Sequence, residues 1–195
     1  MKDEKLQQKA NFMNKVTFSS TNKQLNLDYA KEIKEALKNY TLPSSNFKVD
    51  DLGDCREPPA SAICVYLKLN RVWGWEPKPI DTEDIRKAGK DWPEDFVRHW
   101  QNQDNKDFVW ISCKPRNDED RVKFEDFEYF PNNRGIDMKY FPFVKTKEVQ
   151  LPPLVAVKIT PTSLFEDETS VEIQCLAFYK GKTVLTSFFL SSFSA

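Results

Sequence analysis

The sequence predicts a mainly β protein, an antiparallel β-sandwich entered through one helix. Three observations carry this. Six short runs have strand patterning, clusters of turn-forming residues separate them, and one long stretch near the start repeats its apolar residues at helical spacing. At 195 residues the chain is long enough for a single domain with a sizeable core.

Residues 1–25 are polar and read as an extended or disordered lead-in. Residues 26–40 read as a helix. Tyr29, Ile33, Ala36 and Tyr40 share one face with Ala30 and Leu37 beside them, and Lys31, Glu32, Lys34, Glu35 and Lys38 take the other. Asn26 or Asp28 can cap its start, and TLPSS ends it. The apolar stripe needs a surface, most simply the helix's own domain.

Strand patterning begins with ICVYLKLNRV, where Val65, Leu67 and Leu69 alternate with Tyr66, Lys68 and Asn70. DFVWISC (Asp107 to Cys113) and VKFEDFEYF (Val122 to Phe130) follow. LVAVKIT (Leu154 to Thr160) and VEIQCLAF (Val171 to Phe178) alternate cleanly, with Val171, Ile173 and Cys175 on one face. KTVLTSFFL (Lys182 to Leu190) closes the series, so the sandwich spans about residues 61–193. EPKP, NDED, PNNRG, LPP and KG supply the turns. Residues 81–106 form the longest interruption and read as a surface excursion with some helical character. In RVWGWEPKP, Gly74 permits a bulge or sharp turn, with core packing expected for at least one of Trp73 and Trp75.

Composition excludes several functions. The 29 Lys and Arg nearly balance the 30 Asp and Glu and are interspersed with them, so no basic stripe marks a nucleic-acid surface. No run is long enough to span a bilayer, and the charged N-terminus has no signal-peptide core, so neither anchor nor signal is expected in this sequence. The single histidine, His99, has no nucleophile motif around it, and the five glycines form no phosphate loop. No enzyme activity, metal or cofactor is expected. The four cysteines, Cys55, Cys64, Cys113 and Cys175, lack a zinc-like spacing. Two disulfides and four reduced thiols both fit them. Asn39-Tyr40-Thr41 is a glycosylation sequon.

KYFPFVK (Lys139 to Lys145) groups large rings around Pro142 in a run without strand alternation. Such a cluster either faces a partner or plugs the edge of the sandwich.

Four motifs in order, LNRVWGWEPKP (Leu69 to Pro79), FEYFPNNRGIDMKYFPF (Phe127 to Phe143), LPPLVAVKIT (Leu151 to Thr160) and VEIQCLAF (Val171 to Phe178), together resemble the beta subunits of the sodium/potassium-transporting ATPase and of the related proton/potassium pump. FKVDDLGDC (Phe47 to Cys55) is similar to a cysteine segment of that family. The likeness covers most of residues 26–180. It implies an immunoglobulin-like sandwich with a membrane-proximal helix and long inserted loops, residues 26–195 being the extracellular domain. It also implies disulfides Cys55–Cys64 and Cys113–Cys175; the family's third bridge has no counterpart cysteines here. The last strand and the residues after Phe143 depart from the family pattern.

The implied role is that of a non-catalytic partner of a catalytic alpha subunit, aiding its folding, trafficking and membrane insertion and tuning its potassium affinity. The expected location is the extracellular side of the plasma membrane, in type II topology, although this sequence contains no anchor segment. Tyr140, Phe141, Pro142 and Phe143 match the family's aromatic motif that meets alpha. The alternative function is a pump-independent adhesion or secreted glycoprotein on the same fold.

Overall fold

A computed structural model describes residues 15–18, 23–41, 48–59, 61–69, 72–144, 151–165 and 170–192, with positions 15–18, 23–26, 39, 41 and 187–192 described through their backbone alone. These residues form eight strands, β1 (Lys15–Phe18), β2 (Ile63–Lys68), β3 (Phe108–Pro115), β4 (Phe124–Phe130), β5 (Gly135–Asp137), β6 (Leu154–Pro161), β7 (Ser170–Tyr179) and β8 (Lys182–Ser192). Three α-helices accompany them, α1 (Lys23–Leu37), α2 (Thr82–Ala88) and α3 (Glu94–Gln101).

The strands build two sheets, one in the order β1-β8-β7-β3-β5 and one in the order β2-β6-β4. Alternation decides what lies between them. Val65 and Leu67 of β2 and Val155, Val157 and Ile159 of β6 enter the same core as Val109 and Ile111 of β3 and Val171, Ile173 and Cys175 of β7. Each fully buried aliphatic side chain contributes about 1.5–3 kcal/mol of transfer free energy, so this shared core holds the sandwich together.

Several expectations need correcting. The sandwich is antiparallel except at β1, which pairs with β8 in parallel, Lys15 opposite Phe189 and Phe18 opposite Ser192. Part of the expected lead-in is therefore a strand, and α1 starts at Lys23, before the boundary expected at residue 26. The helix ends at Leu37 and tightens into a 3-10 turn, Lys38–Thr41. The acid-rich residues Asp118–Lys123 coil into a 3-10 helix, which shortens β4 at its start. The excursion at 81–106 is no surface appendage, because it buries Phe96 and Trp100 against the sheet.

Both outer faces of the sandwich are covered. Over the three-stranded sheet lie α1 and the 3-10 segment Val49–Arg56, burying Leu37 and Leu52 against Leu154 and Ala156. Gly53 in that segment has φ 52°, and a side chain there would meet the Phe130 ring at 2.4 Å, so only glycine fits. Over the five-stranded sheet lie α2 and α3, whose Phe96 and Trp100 pack on Phe108, Trp110 and Phe178. The Asp81 carboxylate caps α2 by accepting from the Glu83 and Asp84 backbone N–H groups, and the Asp84 carboxylate accepts from the Asp81 N–H in return. Lys106 closes α3, its Nζ donating to the carbonyls of Trp100 and Gln103 at 2.7 and 2.8 Å.

Candidate interaction site

The four cysteines form two disulfides, Cys55–Cys64 and Cys113–Cys175. The first ties the segment over the three-stranded sheet to β2. Tyrosine hydroxyls hold both of its backbone carbonyls, Tyr29 donating to Cys64 O at 3.1 Å and Tyr66 donating to Cys55 O. Burial pushes the Tyr29 phenol up to about 12 and raises that of Tyr66 as well. The second disulfide joins directly opposed residues of β3 and β7. Beside it, the Cys113 N–H donates to the buried Tyr129 hydroxyl at 2.8 Å, which closes the edge of β3 beyond its pairing with β5. The backbone of Asn39 lies in the 3-10 turn after α1, and its side chain falls outside the described residues.

The rings expected to face a partner divide into two groups. Phe141 and Phe143 are 8% and 3% exposed and belong to the sandwich core. Their centroids lie 5.2 Å apart, and Phe141 packs edge-on against Trp75, which also meets Tyr179. The stretch does alternate: Phe141 and Phe143 point inward, Tyr140 and Pro142 are half-buried, and Val144 is 48% exposed. Tyr140 ends a 3-10 turn, Met138–Tyr140, capped by Asp137, whose carboxylate accepts from the Lys139 N–H at 2.8 Å. Partial burial raises the Tyr140 phenol above its ordinary value.

Of the two tryptophans for which core packing of at least one was expected, Trp73 stands outside the core. Residues 72–75 form a β-turn, with the Trp75 N–H donating to Val72 O at 3.2 Å and Gly74 at φ 71°. A positive φ at the third position of such a turn favours glycine. The turn separates the two tryptophans: Trp75 is half-buried and packs against the core cluster, and Trp73 is 47% exposed. Gly74 N–H donates to Phe143 O at 3.0 Å, and Trp73 and Phe143 form a parallel bridge. The turn and residues 141–144 are thus one ridge at the end of the sandwich. Its exposed side chains are those of Trp73 and Val144, next to the buried rings of Phe141 and Phe143. The signal in the sequence was the glycine between two tryptophans.

His99, the lone histidine, is half-buried at the face of α3. Its Nε2 lies 3.3 Å from Asn133 O, and its ring packs edge-on against Trp110. Burial and the neighbouring Arg134 lower its pKa. Arg134 itself has φ 56°, donates to Asp95 at 3.1 and 3.2 Å and to Ser112 Oγ at 3.1 Å, and stacks over the Tyr129 ring. These contacts dock α3. Among the described residues no group of three His, Cys, Asp or Glu could hold a metal, and no helix is long and apolar enough to cross a membrane. What the site offers is a rigid apolar ridge suited to binding.

The family described as the sodium/potassium ATPase beta chain matches residues 4–184. The chain is similar to the sodium/potassium-transporting ATPase subunit beta-1 of Drosophila melanogaster, with 31% identity over 120 residues, covering 60% of this chain and 36% of that protein. To the subunit beta-1 of Tetronarce californica it is 28% identical over 119 residues, covering 59% and 35%. To the subunit beta-233 of Anguilla anguilla it is 29% identical over 114 residues, covering 57% and 33%. The matched region spans about a third of the length of these relatives.

Proposed function

This chain belongs to the sodium/potassium ATPase beta-chain family, and from that premise we propose that it is the extracellular part of a non-catalytic beta subunit of a P-type cation pump. The observation that carries the reading is the family match across residues 4–184. In this role the chain performs no chemistry. It binds the catalytic alpha subunit, helps it fold, reach the plasma membrane and insert, and shifts the balance of its conformations, which tunes affinity for potassium. The folded unit from Lys15 onward, with its two disulfides, stands on the extracellular side, where oxidising conditions keep such bridges closed. Asn39 carries a glycan there. The ridge that includes Tyr140, Pro142 and the backbone of Phe141 and Phe143 faces alpha, with the two phenylalanine rings serving as its rigid base.

The test is co-expression with a sodium/potassium pump alpha subunit, using this chain both as it stands and joined behind the membrane anchor of a family relative. The expected outcome is that the anchored form becomes glycosylated at Asn39 and co-purifies with alpha. A glycosylated, anchored form that never captures alpha would end the pump reading and favour an adhesion role for the same fold.

A further inference from the structure

We propose that β1 is an edge guard: by lying along β8 it keeps the most pairing-prone strand of the sandwich from docking on the same strand of a second copy of this chain. The inference goes beyond the pump reading and does not depend on it.

The guarded strand carries the hazard in its sequence. β8 is the longest of the described strands, at 11 residues. From Thr183 to Ser192 it reads TVLTSFFLSS, without a charge, a proline or a glycine. An uncharged run of β-branched and aromatic residues is the composition that pairs edge to edge between chains. β7 takes one side of β8 from Lys182 to Ser191. Left bare, the other side is a row of unpaired backbone N–H and C=O groups.

β1 lies on that side. It runs parallel to β8, with Lys15 opposite Phe189, Val16 opposite Leu190, Thr17 opposite Ser191 and Phe18 opposite Ser192. Every other pairing between the described strands is antiparallel. No hairpin delivers β1 to this place; it comes from the opposite end of the described chain. It covers the part of β8 farthest from Lys182, where the strand has no charge of its own. As a template β1 is poor. It is four residues long and opens on a lysine, and shortness and charge are the means by which edge strands are kept single. A long uncharged edge is thus replaced by a short charged one.

The guard is tethered from the other sheet. Only residues 19–22 separate β1 from α1. Over the three-stranded sheet α1 is fastened by the Tyr29 hydroxyl donating to Cys64 O at 3.1 Å, by Lys34 to Glu57 at 2.8 Å and by burial of Leu37. A tether of that length holds β1 beside β8 at an effective concentration on the order of millimolar, which a second copy of the chain matches only in concentrated solution.

The experiment uses the full chain with both disulfides closed. Its mass in solution is read by analytical ultracentrifugation, beside its circular dichroism and melting temperature. Val16→Pro together with Thr17→Pro removes two adjacent backbone donors, one of which faces β8 whatever the phase of the pairing. The expected result is a chain that keeps its fold but self-associates at a concentration at least about tenfold below that of the unchanged chain. Adding Leu185→Lys, at a position 55% exposed on β8, should return it to a monomer. A double-proline chain that stays monomeric with its fold intact overturns the guard. So does association that Leu185→Lys leaves untouched, because its seam is then not β8. Should the prolines unfold the chain, Val16→Cys with Leu190→Cys decides, since these residues stand opposite each other. With that bond closed, the chain should stay monomeric in the mild denaturant at which the unchanged chain first associates. Equal association of the two overturns the inference, as does an unchanged chain that never associates on partial denaturation.

Discussion

The two faces of the sandwich are covered by opposite means. Over the three-stranded sheet, α1 and residues Val49–Arg56 bury few large side chains, and the cover is fastened covalently by Cys55–Cys64 and by the hydroxyls of Tyr29 and Tyr66. Over the five-stranded sheet, α2 and α3 have no covalent tie. They are held by rings: Phe96 stacks on Phe178 at 4.3 Å between centroids, and Trp92 and Trp110 meet them edge-on. Polar clasps finish the job, Arg134 to Asp95 and Lys180 to Asp81. A thin apolar layer needs a staple, whereas a thick aromatic one does not.

The comparison breaks most visibly at Phe96. It is fully buried, and Phe96→Ala is expected to cost about 3–5 kcal/mol of unfolding free energy, measured by chemical denaturation. A loss below about 1 kcal/mol would mean that the rings do not hold the α2–α3 cover. Next in size is the staple. Replacing both Cys55 and Cys64 with alanine opens a loop with a sequence separation of 9 and should cost about 3 kcal/mol by chain entropy. Hydrogen exchange should rise in residues 49–56 and α1 while remaining protected in α3. Equal loosening of both covers would refute their independence.

The smallest effect sharpens the comparison through pH. The pKa of His99 is lowered in the fold by burial and then by Arg134. Its contribution is therefore complete above the unfolded value of about 6.5 and is lost as pH falls through the folded value. Tyr29, raised to about 12 by burial and then by Glu32, behaves in the opposite sense. Its contribution is complete below the unfolded value of about 10 and is lost as pH rises through the folded one. Acid should thus loosen the α2–α3 side first and alkali the α1 side. With one histidine in the chain, its proton resonance needs no assignment. A titration midpoint at or above 6.5 would contradict the packing described.

Much of this architecture was legible in the sequence, because a two-residue period over five or more positions leaves little choice of face. Val65 and Leu67 of β2, and Val171, Ile173 and Cys175 of β7, lie on the core side that alternation assigned them. Short or contextual features were not legible. Three-residue β5 is too brief to show a period, and β1 exists only because β8 offers it an edge. Phe96 and Trp100 are spaced four apart on α3 among charged neighbours, a stripe too short to outweigh the polar residues around it. The alternation of residues 140–144 was missed because Pro142 and Tyr140 masked the inward spacing of Phe141 and Phe143. Nothing local told Trp73 from Trp75; the left-handed turn at Gly74 separates them.

The parallel pairing of β1 with β8 also bears on how the chain is made. Lys15–Phe18 emerges from the ribosome among the first described residues, yet its strand partner, Lys182–Ser192, is among the last. Until β8 is made, β1 has no edge to join, and the five-stranded sheet reaches its described width only then. That sheet is therefore completed by the first-made of its described strands, and a chain halted before Lys182 would leave both β1 and β7 with open edges.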